Sequence, residues 1–364
     1  MNQNEKQFDT ASDGASSAFG EEVRKKLRWA LLSALLAVLT IHAVSAQWKG
    51  FSFAAFLEDL RQADWRWMLP AVLAMLGFIV FEALAIRSAC QVLHYPTRLS
   101  TACGFAAADI YFSAITPSAS GGQPACALLM RRRGIPLVVS AAVLLLTLAM
   151  YALAILTIGL VCCLLWPDVL SVFGGASKVL ITIGFAAQCF LALMFFLLLW
   201  HEKLLEKIAL GLFDLLVRLR LMRHAERRRK RLTDMMEEYR SCAALLSGHR
   251  TLLIRSYMFN LLQRSSQIAV TVFCFLALGG RARLAGDIFA MQSFAVIGSN
   301  CVPVPGAMGV VDYLMLDGFE AFLPSDLVVS MELLSRSLSF YVCVLLCGMI
   351  VLVTATRKRK GRRP

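Results

Sequence analysis

Two stretches of this 364-residue chain interrupt apolar runs with proline and glycine, and polar side chains gather at both. The first reads Thr116-Pro117-Ser118-Ala119-Ser120-Gly121-Gly122-Gln123-Pro124, and a short apolar piece then ends at Met130. Gly121 and Gly122 permit unusual dihedrals, and Pro124 suits the first turn of a helix. The free amides of that helix start, with the hydroxyls of Thr116, Ser118 and Ser120 and the amide of Gln123, predict a place for an anion. A kink sealed by packing is the structural alternative. The second stretch runs from Val302 to Gly309 through Pro303, Pro305, Gly306 and Ala307, before a piece that ends near Phe322. Asp312 follows in the first turn of its half-helix, where the dipole favours an acid. It either caps that helix or faces a cavity, where it would meet a cationic group or a proton.

Charges inside long apolar runs add to the pattern. Arg264 falls thirteen residues into the run 251–278, and Asn260, Gln263, Arg264 and Gln267 share one helix face. Glu332, Arg336 and Ser339 repeat that spacing, with Glu332 and Arg336 at the i,i+4 distance of an ion pair. Glu82 and Asp109 lie equally deep. With Glu332 they are the candidates for carrying a coupling ion or proton, whereas Arg87 and Arg255 are near enough to run ends to snorkel.

These charges are costly because of what surrounds them. The chain is 58% hydrophobic and 17% charged, with a mean hydropathy of +0.66. Runs of about twenty apolar residues match the ~30 Å of a bilayer's hydrocarbon core. The composition therefore predicts an all-α polytopic membrane protein, in which deep ionisable residues mark function or a buried partner. Six runs are long enough to span: 27–46, 68–90, 137–165, 179–200, 251–278 and 327–354. The runs around the two breaks are too short and predict re-entrant half-helix hairpins. Irregular backbone at that depth needs protein or water around it, which implies an internal polar cavity.

Charge bias sets the expected topology. Residues 201–250 hold twelve Lys/Arg against seven Asp/Glu, and the 357–364 tail holds six Lys/Arg and no acid. Both, with the basic run at 24–28, are expected in the cytoplasm. Six spans with both termini inside satisfy this if each hairpin enters and leaves on one side. The order span, span, hairpin, span then occurs twice with opposite orientation, the inverted-repeat plan of many transporters. Eight ordinary spans are the alternative. Residues 1–22 predict a disordered cytoplasmic tail, and 23–356 the membrane domain with 201–250 as a basic helical insertion. The run 27–46 reads as a retained signal-anchor helix rather than a cleaved leader. The 47–67 stretch reads as an interfacial helix with tryptophan anchors.

The net charge of +13 does not point to nucleic acid, because the basic residues flank apolar runs and would meet anionic lipid heads. Eleven cysteines sit mostly within apolar runs as small hydrophobes, and five histidines are scattered, so neither a metal site nor a cofactor is expected. No phosphate-binding loop, nucleophile elbow or His-Glu-x-x-His is present.

The two breaks resemble the signatures of the lysylphosphatidylglycerol synthase transmembrane-region family, a flippase-like group of the UPF0104 type. The 116–124 segment, followed by Arg131, Arg132, Arg133 and Gly134, is similar to the first signature, and 303–312 to the second. Arg336 falls where the family often has an arginine. The second signature usually has a Gly-Gly pair and a glutamate, where this chain has Gly306-Ala307 and Asp312. The likeness covers roughly 25–355. It implies the membrane half of the full-length proteins, without the soluble domain that transfers lysine from charged tRNA. That half exposes a modified or carrier lipid on the outer leaflet of the bacterial cytoplasmic membrane, and in full-length relatives it protects against cationic antimicrobial peptides.

The leading expectation is thus a lipid-transport protein whose substrate is a phospholipid such as aminoacylated phosphatidylglycerol. Its binding residues would be Thr116, Ser118, Ser120, Gly121, Gly122, Gln123, Gln263, Arg264, Gly306, Gly309, Asp312 and Arg336. The rival readings are an ion-coupled carrier of a small solute, a non-transporting partner of a separate lipid-modifying enzyme, and a phosphatidylglycerol lysyltransferase proper. A second copy of the chain is a further expected partner.

Overall fold

The computed structural model describes residues 53–116, 119–200, 207, 210–211, 213, 225–302, 304, 307 and 309–356. The expected first span at 27–46, both tails, most of 201–224, and Ser118, Pro303, Pro305, Gly306 and Met308 lie outside the described residues.

Among the described residues the chain is helical throughout, with no strand. A short helix, α1 (Phe53–Gln62), precedes the long α2 (Trp65–Val92). Asp64 caps α2 by accepting from the Arg66 N–H at 2.9 Å, and its own N–H donates to the Ala277 carbonyl at 2.8 Å. The first break separates α3 (Leu99–Ile115) from α4 (Gly122–Arg132), and α5 (Leu137–Leu165) follows. Then come the short α6 (Pro167–Val172), α7 (Gly175–Trp200), α8 (Ala225–Gly248) and α9 (Arg250–Ala277). The second break separates α10 (Ala285–Ser299) from α11 (Val310–Phe319). The last long element is α12 (Ser325–Arg336), a π-helical turn at Ser337–Val342, and α13 (Cys343–Thr356).

Four stretches are long and apolar enough to cross a membrane: α2, α5, Gly175–Leu199 of α7, and Leu327–Ala355. α9 is equally long but too polar to join them by composition. Its inward face carries the buried Ser256, Asn260 and Gln263, while Ile254, Met258 and Leu262 face outward and are exposed. A polar interior behind an apolar exterior is the arrangement a bilayer demands, because hydrocarbon cannot solvate amides or guanidinium. The chain is therefore a multi-pass, all-α membrane protein.

The order of long helix, broken pair, long helix occurs twice: α2, α3–α4, α5, and α9, α10–α11, α12–α13. Two apolar clusters hold these sets. The first joins α3 and α4 to the start of α5, to α8 and to Leu252 at the start of α9. The second joins α10 and α11 to Ile158 and Cys162 near the end of α5 and to the last turns of α9. The two broken pairs thus pack at opposite ends of α5 and α9. Close backbone approach fixes the second pair, since a Cβ at Gly184 in α7 would collide with the Ile297 carbonyl in α10. Arg133 fixes the first, donating to the Thr354 carbonyl of α13 at 2.6 Å.

Candidate functional site

The first break turns on short-range bonds. The Thr116 hydroxyl donates to the Phe112 carbonyl at 2.6 Å and accepts from the Gly121 N–H at 2.9 Å, so it closes the turn between α3 and α4. Ala119 sits at φ 52, a left-handed conformation that costs a residue with a Cβ roughly 1–2 kcal/mol. Ser120 is exposed beside it, and Gly121 is the residue before α4.

Gly122 opens α4 directly against α3. A Cβ there would overlap the Ser113 hydroxyl and the Asp109 carboxylate, so only glycine lets the helix start come this close. Gln123 then donates to Asp109 Oδ2 at 2.5 Å, and Ser113 donates to Asp109 Oδ1 at 3.3 Å. The positive end of the α4 dipole therefore already faces an acid of this chain. Asp109 is 9% exposed and Glu82, on α2, is 5% exposed. Gln263 of α9 donates to Glu82 Oε2 at 2.7 Å. Glu82, Asp109, Gln123 and Gln263 come from four helices and meet in one buried polar knot.

Arg264, adjacent to Gln263, faces this knot without an ion pair among the described residues. It donates to Gln267 Oε1 at 2.6 Å, and its guanidinium carbon lies 4.2 Å from the Tyr151 ring centroid and 5.1 Å from that of Phe78. Its Nε is buried and has no hydrogen-bond acceptor. The Tyr151 hydroxyl accepts from Asn300 Nδ2 at 3.1 Å, and Asn300 ends α10. A line of contacts thus runs from the second break, through Asn300 and Tyr151, to Arg264.

The second break builds a separate cluster. Gly309 at φ 78 precedes α11, and its N–H donates to Asp312 Oδ2 at 2.8 Å, so Asp312 does cap the helix. The other oxygen, Oδ1, lies 2.9 Å from Arg336 Nε. Spacing along the last span predicts a Glu332–Arg336 pair, but Arg336 reaches across to α11 instead. The Arg336 guanidinium also lies 4.9 Å from the Phe340 ring centroid, within the π-helical turn that begins at Ser337. Such turns widen a helix and are frequent at functional positions. Ala307, like Ala119, has φ 52, so each break holds one strained alanine.

The structure brings Glu82, Asp109, Gln123, Gln263 and Arg264 together, with Thr116, Gly121 and Gly122 shaping their edge. It gathers Gly309, Asp312, Glu332 and Arg336 into the second cluster. Ser118 and Gly306 lie outside the described residues. Sequence reasoning passed over Phe78, Ser113, Tyr151 and Asn300. Ser113 was legible as the i+4 neighbour of Asp109, whereas an aromatic residue in an apolar run carries no signal of the cation stacked on it. No group of three or more His, Cys, Asp or Glu able to hold a metal occurs among the described residues.

Comparison with known proteins finds a family and a relative to which this chain is similar. The family described as the lysylphosphatidylglycerol synthase TM region matches residues 28–347. A relative, the UPF0104 membrane protein PH1989 of Pyrococcus horikoshii, is 25% identical over 125 residues, 34% of this chain and 37% of that protein. The matched part thus spans little more than a third of the relative's length.

Proposed function

The chain belongs to the lysylphosphatidylglycerol synthase transmembrane-region family, and we propose that it moves a phospholipid between the leaflets of a bacterial cytoplasmic membrane. The observation that carries this reading is Arg264. It lies fourteen residues into α9, about 21 Å along the axis at 1.5 Å per residue, and its buried Nε has no acceptor. A cation held at that depth by aromatic faces rather than by a carboxylate is suited to an incoming anion, and a head-group phosphate is the anion a membrane supplies. The acyl tails would stay in the bilayer while the head group crosses the polar interior between the two breaks.

In this reading the start of α4 contributes through Gln123 and through the turn built by Thr116, Ser120, Gly121 and Gly122. Glu332, which Arg336 leaves for Asp312, is the carboxyl offered to a cationic amine such as that of aminoacylated phosphatidylglycerol. Exposure of such a lipid on the outer leaflet would lower the surface's attraction for cationic antimicrobial peptides. The enzyme that modifies the lipid would be a separate partner, and the basic segments near the ends would rest on anionic lipid heads.

The test is lipid movement by purified protein in liposomes holding labelled phosphatidylglycerol or its lysyl ester. Head-group exposure is expected to be faster than in protein-free liposomes and to slow at least ~10-fold in Arg264→Ala, which corresponds to ~1.4 kcal/mol of lost binding at the barrier. Equal rates with and without protein would sink the reading.

A further inference from the structure

The inner face of α9 carries an inference that rests on the lipid-movement reading and deepens it by naming the head group. Ser256, Asn260 and Arg264 follow one another at i, i+4 and i+8, so they share one ridge of the helix. They stand about 9, 15 and 21 Å along its axis at 1.5 Å per residue. Ser256 and Asn260 are 0% exposed. The Asn260 amide nitrogen donates to the Ser256 carbonyl at 2.8 Å, but its Oδ1 has no donor. The Ser256 hydroxyl has no partner, and neither does Arg264 Nε. Beyond Arg264 the same face is matched. Gln267 Oε1 accepts from Arg264 at 2.6 Å, and the Thr271 hydroxyl meets that of Ser335 at 2.6 Å. Three unmet polar atoms in a row, in a medium that cannot solvate them, call for a ligand that does.

We infer that Ser256, Asn260 and Arg264 form a subsite for a phosphate ester that carries hydroxyl groups. The donor pattern sets this class. A guanidinium has only N–H to give, so Arg264 takes an anionic oxygen, and Asn260 Oδ1 takes an O–H or N–H. The Ser256 hydroxyl serves in either role. Residues four apart on a helix stand about 5–6 Å from one another, a gap that a three-carbon polyol ester spans. A phosphate on Arg264 thus places the polyol of a phosphoglycerol head against Asn260 and then Ser256. Choline has no N–H or O–H and would leave Asn260 unmet. Ethanolamine has N–H to give, but it brings a second cation within about one turn of the guanidinium, which repels it. Phosphatidylglycerol fits, and so does an aminoacyl ester that keeps one free hydroxyl.

The test uses the full chain in detergent micelles, with bound lipid read by native mass spectrometry. The probes are phosphatidylglycerol and phosphatidylmethanol, which carry the same phosphodiester charge but differ in their hydroxyls. Phosphatidylglycerol is expected to bind at least ~10-fold tighter, which corresponds to ~1.4 kcal/mol. That ratio should fall toward one in Asn260→Leu and by a smaller factor in Ser256→Ala, whereas Arg264→Gln should weaken both lipids. The wild-type comparison needs no substitution, so it stands even if a variant fails to fold. Equal affinity in the wild type overturns the hydroxyl subsite, while lipid movement in liposomes would stand. A preference that survives both Asn260→Leu and Ser256→Ala overturns its location on α9. Free sn-glycerol 3-phosphate at the same concentration should leave bound phosphatidylglycerol in place. Displacement by it would assign the subsite to a soluble ester and overturn the lipid-movement reading. Phosphatidylglycerol held no better than phosphatidylcholine overturns both.

Discussion

Arg336 Nε lies 2.9 Å from Asp312 Oδ1, and this pair joins the last span to the second break. Asp312 also accepts from the Gly309 N–H at 2.8 Å, so one carboxylate both starts α11 and anchors Arg336. The side chains are 10% and 17% exposed, which puts the pair where removing one partner strands the other charge.

Arg336→Met should therefore cost roughly 3 kcal/mol, read as a lower midpoint of unfolding in detergent. Asp312→Asn should cost less, because asparagine retains an oxygen for the Gly309 amide. The double variant should be more stable than the two single losses predict, by a coupling of about 1–3 kcal/mol. Simple additivity would mean that the contact contributes nothing.

Gly122→Ala tests the close approach of α4 to Asp109. The new Cβ would overlap Asp109 and Ser113, so α4 must shift, at a cost of about 1–3 kcal/mol. Lipid movement should fall with it. Gly175→Ala has open space around its Cβ and should change stability by about 0.5 kcal/mol or less. Equal effects at both positions would show that the packing at Gly122 is not specific.

Tyr151 supplies the ring on which Arg264 rests, 4.2 Å away. Tyr151→Leu removes a cation–π contact worth about 1–2 kcal/mol in a desolvated setting and should slow lipid movement about tenfold. Tyr151→Phe keeps the ring and loses only the bond from Asn300, so it should have the smaller effect. The reverse order would assign the role to the hydroxyl.

The two broken pairs pack at opposite ends of α5 and α9, which predicts opposite access from water. In a cysteine-free background, Ser120→Cys and Val304→Cys should react with an impermeant maleimide from opposite faces of the membrane. Labelling of both from one face would refute the opposed arrangement.

Much of the fold was legible because its causes are local. The lengths of the apolar runs follow from bilayer thickness, and the sequence places helices at 68–90, 137–165, 179–200, 251–278 and 327–354, where the structure has them. Proline and glycine mark both breaks, since helix geometry fails there whatever surrounds it. The polar face of α9 was legible from the spacing of Asn260, Gln263, Arg264 and Gln267.

Partner choice was not legible. Spacing along one helix offers Glu332 to Arg336, yet the guanidinium takes Asp312, which is near only because α11 packs beside α12. The start of α4 reads as a vacant anion site, yet Asp109 fills its approach. Tyr151 is one apolar-run aromatic among several until α5 and α9 bring it onto Arg264. By itself, therefore, the sequence determined that the chain crosses a membrane, where its helices run and where they break, because solvent and backbone chemistry act on each segment alone. Which buried charge faces which other was decided only by the tertiary structure, because that depends on how helices distant in sequence turn toward one another.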